Sequence, residues 1–398
     1  MKRAKNLFPI LISHDNLAKA IDEVNKTHKF SHGRVNKTAI WVELTKENRI
    51  NDIRNIIESG YVPKPTRHIR RYDHSACKWR DIQEPALWPD QYIHHAVVQA
   101  CQQIFMRGMD YWCCGSIRGR GTARGIKGIK HWMEGDPKGT KYCAELDIRH
   151  FYDSLTHDVV MNRMRQLIKD KRMLNVIDHM TSNGIMIGAY YSQWMANVVL
   201  QPLDHMIREE CKADHYLRYM DNLTLFHHNK KELHQTVKRI EKWLNEHDLE
   251  LKANWQVYLC GFRQITEARR LNWSEDKRRR LKPRLPSALG YRFGRGYTLL
   301  RKHTLLRAKR KTRKAQKKTD EKQPLDHRQA AGMISRLGML NHCNACDIRR
   351  RLAPKGTLRM LKVPVRAYSK WSQFQRTYKM LEAKEELKAL IEQGEIPA

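Results

Sequence analysis

The chain has 398 residues, with 76 Lys+Arg against 42 Asp+Glu and a formal net charge of +34. Self-repulsion on that scale calls for a polyanion to neutralise it, so nucleic acid is the expected partner. The basic residues are spread through the chain, and no apolar run approaches the roughly 20 residues that span a bilayer, which argues against a membrane partner.

Met1-Lys2-Arg3 leads into Leu7-Phe8-Pro9-Ile10-Leu11-Ile12, a short, proline-broken stretch without a small-residue cleavage site, so an intracellular protein is expected. Helices are predicted over Asn16 to Asn25 and Lys46 to Ser59, the second with Ile50, Ile53, Ile56 and Ile57 at helical spacing and Gly60 as its stop. Residues 61–80 are extended and basic, with Pro63 and Pro65 excluding a helix. Residues 85–110 return to helix, and 115–131 are rich in glycine and arginine. Tyr142 to Ile148 alternates as a strand, and a helix follows from the N-cap candidate Thr156. Another helix starts near Ser192, with a kink expected at Pro202. Tyr216 to Phe226 is predicted as a tight hairpin around Met220-Asp221, followed by an amphipathic helix over Leu233 to Asn245. Residues 261–288 form a basic insertion, 300–318 a basic helix, 326–353 a helical pair, and 377–393 a short charged tail helix. This irregular alternation favours an α+β fold with two or three subdomains over a doubly wound sheet.

The nine cysteines form no disulfide framework. Cys343-Asn344-Ala345-Cys346 lacks a second pair at zinc spacing, and it and Cys113-Cys114 are expected to be reduced thiols.

Two acidic side chains stand out in this basic chain: Asp147 at the end of the predicted strand and Asp221 at the hairpin tip. Nucleotidyl transfer uses two divalent ions about 4 Å apart, held by hard oxygen ligands. If the two strands are neighbours, both carboxylates emerge at one edge and could share such ions. Asp-Asn is also a good turn, and an aspartate after a strand often caps a helix, so the pair alone leaves both readings open.

The surrounding segments carry a resemblance. Asp147-Ile148-Arg149-His150-Phe151-Tyr152-Asp153-Ser154 resembles the A motif of reverse transcriptases. Ile187-Gly188-Ala189-Tyr190-Tyr191-Ser192-Gln193-Trp194-Met195-Ala196-Asn197 resembles the B motif, and Leu217-Arg218-Tyr219-Met220-Asp221-Asn222 the C motif, usually Tyr-x-Asp-Asp. Leu249-Glu250-Leu251-Lys252 is similar to the D motif and Leu289-Gly290-Tyr291-Arg292-Phe293 to the primer grip. Lys78-Trp79-Arg80-Asp81-Ile82 and the glycine-rich run 115–122 resemble the first finger blocks. The motifs occur in the family's order and cover about residues 1–360.

The resemblance implies an RNA-directed DNA polymerase with a right-hand fold. Its expected divisions are N-terminal helices and fingers at 1–140, palm at 141–299, helical thumb at 300–360 and a tail at 361–398. Fingers helices would return within 155–190. Asp147, Asp221 and Asn222 would be catalytic, with Asp147, the Ile148 backbone and Asp221 holding two Mg2+, or Mn2+ in their place. Lys78, Arg80, Arg120, Tyr152, Ile187, Gly188 and Gln193 would contact the incoming nucleotide, Tyr152 as the gate against a ribose 2′-hydroxyl. Leu289, Gly290 and Tyr291 would grip the primer, and Arg307, Lys309, Arg310, Lys311, Arg313 and Lys314 would hold template and cDNA phosphates. In group II intron and retron enzymes the B motif is Gln-Gly-x-x-x-Ser-Pro. The aliphatic Ile187 and the Gln193 found here resemble the enzymes of diversity-generating retroelements, which copy a template RNA with errors opposite adenines and work with a small basic accessory variability protein. That family implies a cytoplasmic, bacterial or phage-encoded enzyme. The alternatives are a phage-defence or unclassified prokaryotic reverse transcriptase, or an RNA-holding scaffold weakened by Asn222.

Overall fold

The strands of the computed structural model, which describes residues 2–31, 33–73, 78–261, 274, 283–321, 325–353 and 356–398, all pair antiparallel. In chain order they are β1 (Phe30–Ser31), β2 (Arg34–Val35), β3 (Arg67–Asp73), β4 (Lys78–Glu84), β5 (Tyr142–Arg149), β6 (His215–Tyr219), β7 (Asn222–His227), β8 (Glu250–Leu251), β9 (Gln256–Leu259), β10 (Ser287–Ala288), β11 (Tyr291–Gly294) and β12 (Tyr297–Leu300). The central sheet runs β6-β7-β5-β8, with β9 also on β5. Cys143, Ala144, Leu146 and Ile148 of β5 are buried, and that burial anchors the sheet's middle strand. The amphipathic helix Lys230–Asn245 covers one face through Leu233, Val237, Ile240 and Leu244. Thr156 caps helix His157–Leu167 as predicted, its hydroxyl accepting from the Val159 amide. The helix at Tyr190–Val199 breaks at Leu200 and restarts as Gln201–His205 with Pro202 in its first turn, because proline's fixed φ suits a helix start and not its interior.

This is the right-hand polymerase architecture: a palm sheet, a fingers hairpin and a helical thumb. The fingers hairpin is β3–β4, in the stretch expected to be extended. The basic thumb helix Lys302–Asp320 packs on helix His327–Met339, burying Ala308, Thr312 and Ala315 at i, i+4 and i+7. A second core joins helix Thr122–Gly135 and β11 to that thumb through Ile126, Trp132, Phe293, Met333 and Leu337.

Two stretches gain helices that the pattern did not mark, and one expectation needs correction. The run 115–131 is half helix, since Thr122–Gly135 buries Ile126, Ile129, Trp132 and Met133 on one stripe. The amino-terminal region holds a further helix, Lys37–Leu44, short and without amphipathic periodicity, which explains its invisibility in the pattern. The short tail helix at 377–393 is the end of one helix of 36 residues, Thr357–Glu392, so the 360/361 division falls inside a continuous element. That helix runs from the thumb to the amino-terminal helices, where Ala383 and Leu387 pack on Ile40 and Trp41 donates to the Pro397 carbonyl at 2.8 Å. The basic insertion lies outside the described residues apart from 261, Ser274 and 283–288; among these, the Arg284 amide donates to Leu259 and its guanidinium to Gln256.

Candidate active site

The hairpin β6–β7 closes with Tyr219 opposite Asn222, leaving Met220-Asp221 as its turn, Met220 at φ 55°. Its partner strand β5 places Asp147 directly opposite Asn222, and the Ile148 amide donates to the Asp221 carbonyl at 3.1 Å. The register therefore brings the two aspartates together at one sheet edge. Burial pushes the Asp221 carboxyl above the usual aspartate range, and the Asp147 charge pushes it further. The Asn222 side-chain amide donates to Asp221 Oδ1 at 2.9 Å and opposes that shift. Lys252 closes the other side: its Nζ lies 2.6 Å from Asp147 Oδ1, and its amide donates to the Asp147 carbonyl at 2.9 Å. Two adjacent carboxylates that repel each other, with hard oxygen donors and one free edge toward a cleft, form a donor set suited to divalent cations.

The turn is fixed from behind. Arg218 and Asp204 are 0% and 1% exposed and make a two-point ion pair, Nε to Oδ1 at 2.8 Å and Nη2 to Oδ2 at 2.7 Å. Arg218 Nη1 also donates to Asn197 Oδ1 at 2.8 Å and to the Met220 carbonyl at 3.3 Å, inside the Met220-Asp221 turn. The Tyr216 hydroxyl donates to Asp204 Oδ1 at 2.7 Å, and Asn197 Nδ2 to the Gly115 carbonyl at 2.9 Å. Gly115 has to be glycine here, because a Cβ would lie 2.7 Å from the Met220 nitrogen. A fully buried charge must be paired and its hydrogen-bond positions filled, and this network fills them while gripping the turn.

Asp147 lies on the floor of a cleft of about 1350 Å³ between the palm, the β10–β12 sheet and the thumb. The cleft is lined by Lys252, Arg284, Arg292, Arg301, Arg307, Lys311 and Arg336, against the acids Glu145 and Asp147. Among the thumb cations predicted to bind phosphate, Arg307 and Lys311 line it, one turn apart; Lys309, Arg310, Arg313 and Lys314 do not. Leu289 and Gly290 line it as the turn between β10 and β11, at φ 54° and 87°, while Tyr291 is buried with its hydroxyl on the Met339 carbonyl. A smaller hollow beside the pair is lined by Tyr152, Ile187, Gln83 and Asp81. The Tyr152 hydroxyl is pushed up to about 12 by burial and by Asp221, with Arg80 pulling the other way, which places the ring near both. The Ile187 carbonyl accepts from the Gln83 amide at 2.9 Å, and Gly188, at φ 122°, leaves no room for a Cβ against Ile82 and Gln83. The B segment is thereby docked on the fingers.

Other predicted positions are not brought to the pair. Arg120 donates to the Asp110 carbonyl at 2.5 Å, and Arg80 pairs with Asp73 at 2.8 Å while staying near Tyr152. Gln193 is exposed on its helix. The Lys78 side chain lies outside the described residues. Cys113 and Cys114 are buried, Cys343 is half-buried and Cys346 exposed, and among the described residues the cysteines form no metal cluster.

The sequence reading assigned no role to Lys252, Arg218, Asp204 or Asn197. Lys252, Arg218 and Asn197 stand within the D, C and B segments without a partner, and the signal for Arg218 was a charge in a strand between Leu217 and Tyr219.

Residues 78–273 match the family model described as reverse transcriptase (RNA-dependent DNA polymerase). That segment is a reverse transcriptase domain. The domain carries Asp147, Asp221 and the whole buried network. A curated relative, the Retron Ec48 reverse transcriptase of Escherichia coli, is 27% identical over 157 residues, 37% of this chain and 37% of the relative. Protein YkfC of Escherichia coli strain K12 is 25% identical over 191 residues, 44% of this chain and 49% of that protein. The matches thus span half or less of the length of these curated relatives. The solved structure of apo telomerase from Candida tropicalis, truncated from its C-terminal domain, aligns with a TM-score of 0.36 and 13% identity over 57% of this chain and 56% of that one, too loosely to bear on function. Among the described residues no helix is long and apolar enough to cross a membrane.

Proposed function

We propose that this protein is an RNA-directed DNA polymerase that extends a primer on an RNA template. One observation carries the reading: the β5–β7 register sets Asp147 beside Asp221 on the edge of a cationic cleft, inside the reverse transcriptase domain. Asp147 and Asp221, with the backbone at Ile148, would hold two divalent ions, magnesium by the hardness of the donors, which supply activation of the primer hydroxyl and neutralisation of the triphosphate. Asn222 contributes by hydrogen-bonding Asp221 Oδ1 and adds no third charge. Lys252 holds Asp147 in place and neutralises it when no cation is bound. Tyr152, half-buried at the hollow, is the wall that a ribose 2′-hydroxyl would meet, and Ile187 beside it offers only apolar contact to a nucleotide. An apolar contact discriminates base pairs by about 1–3 kcal/mol at most, a basis for error-prone copying. That feature favours a role in a diversity-generating retroelement, with a small basic accessory protein as partner, over a phage-defence enzyme, and template and variable repeats beside the gene would support it. Arg307 and Lys311 would hold the template–cDNA duplex, and Leu289-Gly290 would meet the primer strand.

The test is extension of a DNA primer on an RNA template. Asp147→Asn should abolish incorporation while leaving template binding intact; unaffected extension would sink the assignment, and absence of incorporation by wild type in magnesium and manganese would make the chain an RNA-holding scaffold.

A further inference from the structure

The helix Thr357–Glu392 carries a row of large apolar side chains that nothing among the described residues covers. Met360, Val363, Trp371, Phe374, Tyr378 and Leu381 are 56%, 63%, 57%, 67%, 60% and 56% exposed. At 100° per residue they fall within one stripe, spaced three, eight, three, four and three residues apart, with Ala367 filling the gap. The helix buries the opposite side, through Leu361, Ala383 and Leu387. The row runs for roughly 30 Å along the helix at 1.5 Å per residue. Exposed aromatic rings in such a row are uncommon on a surface that faces only water.

Charge decides what would cover it. Residues 357–381 hold Arg359, Lys362, Arg366, Lys370, Arg376 and Lys379 and no acidic residue; the first glutamate is Glu382. A second copy of the chain packed on the stripe would bring Arg359, Arg366 and Lys370 against like charges, and an apolar protein face would leave them unpaired. A polyanion satisfies them, and stacked bases satisfy the rings. Arg359, Arg366 and Lys370 flank the stripe on one side, where phosphates would lie. Arg376 and Lys379 face the amino-terminal hairpin instead, Arg376 over the Phe30 ring at 5.8 Å and Lys379 donating to the Gly33 carbonyl at 3.4 Å. At one edge Tyr368 stacks on His327 at 3.5 Å, continuing the aromatic surface onto the thumb.

We infer that this helix is a second nucleic-acid site, a track on which single-stranded nucleic acid stacks its bases on Trp371, Phe374 and Tyr378 while Arg359, Arg366 and Lys370 contact its phosphates. The track lies outside the polymerase cleft, whose lining includes none of these residues. It is sequence-tolerant, because every base has a face to stack. Its function is to hold unpaired template or product strand away from the catalytic edge.

The test uses the full chain with its cleft blocked by an excess of unlabelled primer–template hybrid. Binding of fluorescein-labelled oligo(U) and oligo(dT) is then read by anisotropy without nucleotides, so the result stands apart from the polymerase reading. Stacking is worth about 1–3 kcal/mol per base, so Trp371→Ala/Phe374→Ala/Tyr378→Ala should weaken single-strand binding at least tenfold. Trp371→Phe/Phe374→Tyr/Tyr378→Phe should keep it, and neither variant should change extension of a short primer–template. The two oligonucleotides distinguish an RNA from a DNA track. Unchanged binding in the alanine variant overturns the inference. So does a dimeric wild type that the alanine variant turns into monomer, which would make the stripe an interface between copies.

Discussion

Replacing Asp204 by leucine breaks the buried pair with Arg218 and strands a guanidinium that is 0% exposed. Leaving one partner of a buried ion pair unmatched costs about 3–5 kcal/mol. At roughly 2–4 °C per kcal/mol in large domains, the melting temperature should fall by about 6–20 °C, toward the lower figure for a chain of this size. Loss of stability alone would not show that the network serves catalysis. The companion variant is Asp204→Leu/Arg218→Met, which removes the stranded charge and fills the volume with apolar atoms, a replacement that is often neutral. It should recover much of the melting temperature, short of the loss from the Tyr216 hydroxyl and Asn197 Oδ1, which keep no charged partner. Extension should not recover. The Met220 carbonyl loses its donor, a hydrogen bond to a charged group worth about 1.5–3 kcal/mol, and the turn that presents Asp221 loosens. A fall in single-turnover extension of about tenfold or more at restored stability is expected, since about 1.4 kcal/mol is one decade of rate. Calorimetry and single-turnover primer extension on the same preparations decide it. A double variant that melts near wild type and extends within twofold of it would refute the argument that Arg218 positions the turn.

The raised Asp221 carboxyl has two consequences of opposite sign, since acidification removes activity and adds stability. Extension requires it ionised, so activity should be lost on acidification at a pH above that of an ordinary aspartate. Because its folded value exceeds the unfolded one, ionised Asp221 costs stability at neutral pH, and protonation relieves that cost as the pH falls through the folded value. Asp221→Asn should therefore raise the melting temperature of metal-free protein at pH 7, with the gain shrinking as the pH falls; a gap that widens on acidification contradicts the assignment. Asn222→Asp replaces a hydrogen-bond donor to Asp221 by a like charge, so it should lower the metal-free melting temperature and lower the magnesium needed for half-maximal extension. An unchanged magnesium requirement would make Asn222 a turn residue only. Ile187→Gln should reduce misincorporation opposite template adenine, measured by sequencing of products; an unchanged error spectrum removes Ile187 from fidelity. Arg307→Gln/Lys311→Gln should reduce the salt slope of duplex binding by about 2, because each phosphate contact releases close to one counterion.

Much of the palm was legible in the sequence because its signals are local. Period-2 burial marked β5, the Met220-Asp221 turn marked the hairpin, and Thr156 marked a helix start. The two aspartates stood out by chemistry, as carboxylates near a strand end and at a hairpin tip in a cationic chain. Sequence could not show that β5 and β7 are neighbours, since Asp147 and Asp221 are 74 residues apart and pairing at that distance is decided by which faces the whole chain can bury. For the same reason Arg218 and Asp204 looked like two more charges, until packing took both out of water and forced them together behind the turn. Only the tertiary structure separated Arg307 and Lys311, on the cleft, from Lys309, Arg310, Arg313 and Lys314 beside them, because a helix turns successive side chains to different surroundings. The long final helix shows the limit from the other side: its apolar stripe is written in the residues, yet that the stripe faces outward follows from Leu361, Ala383 and Leu387 having taken the inner face.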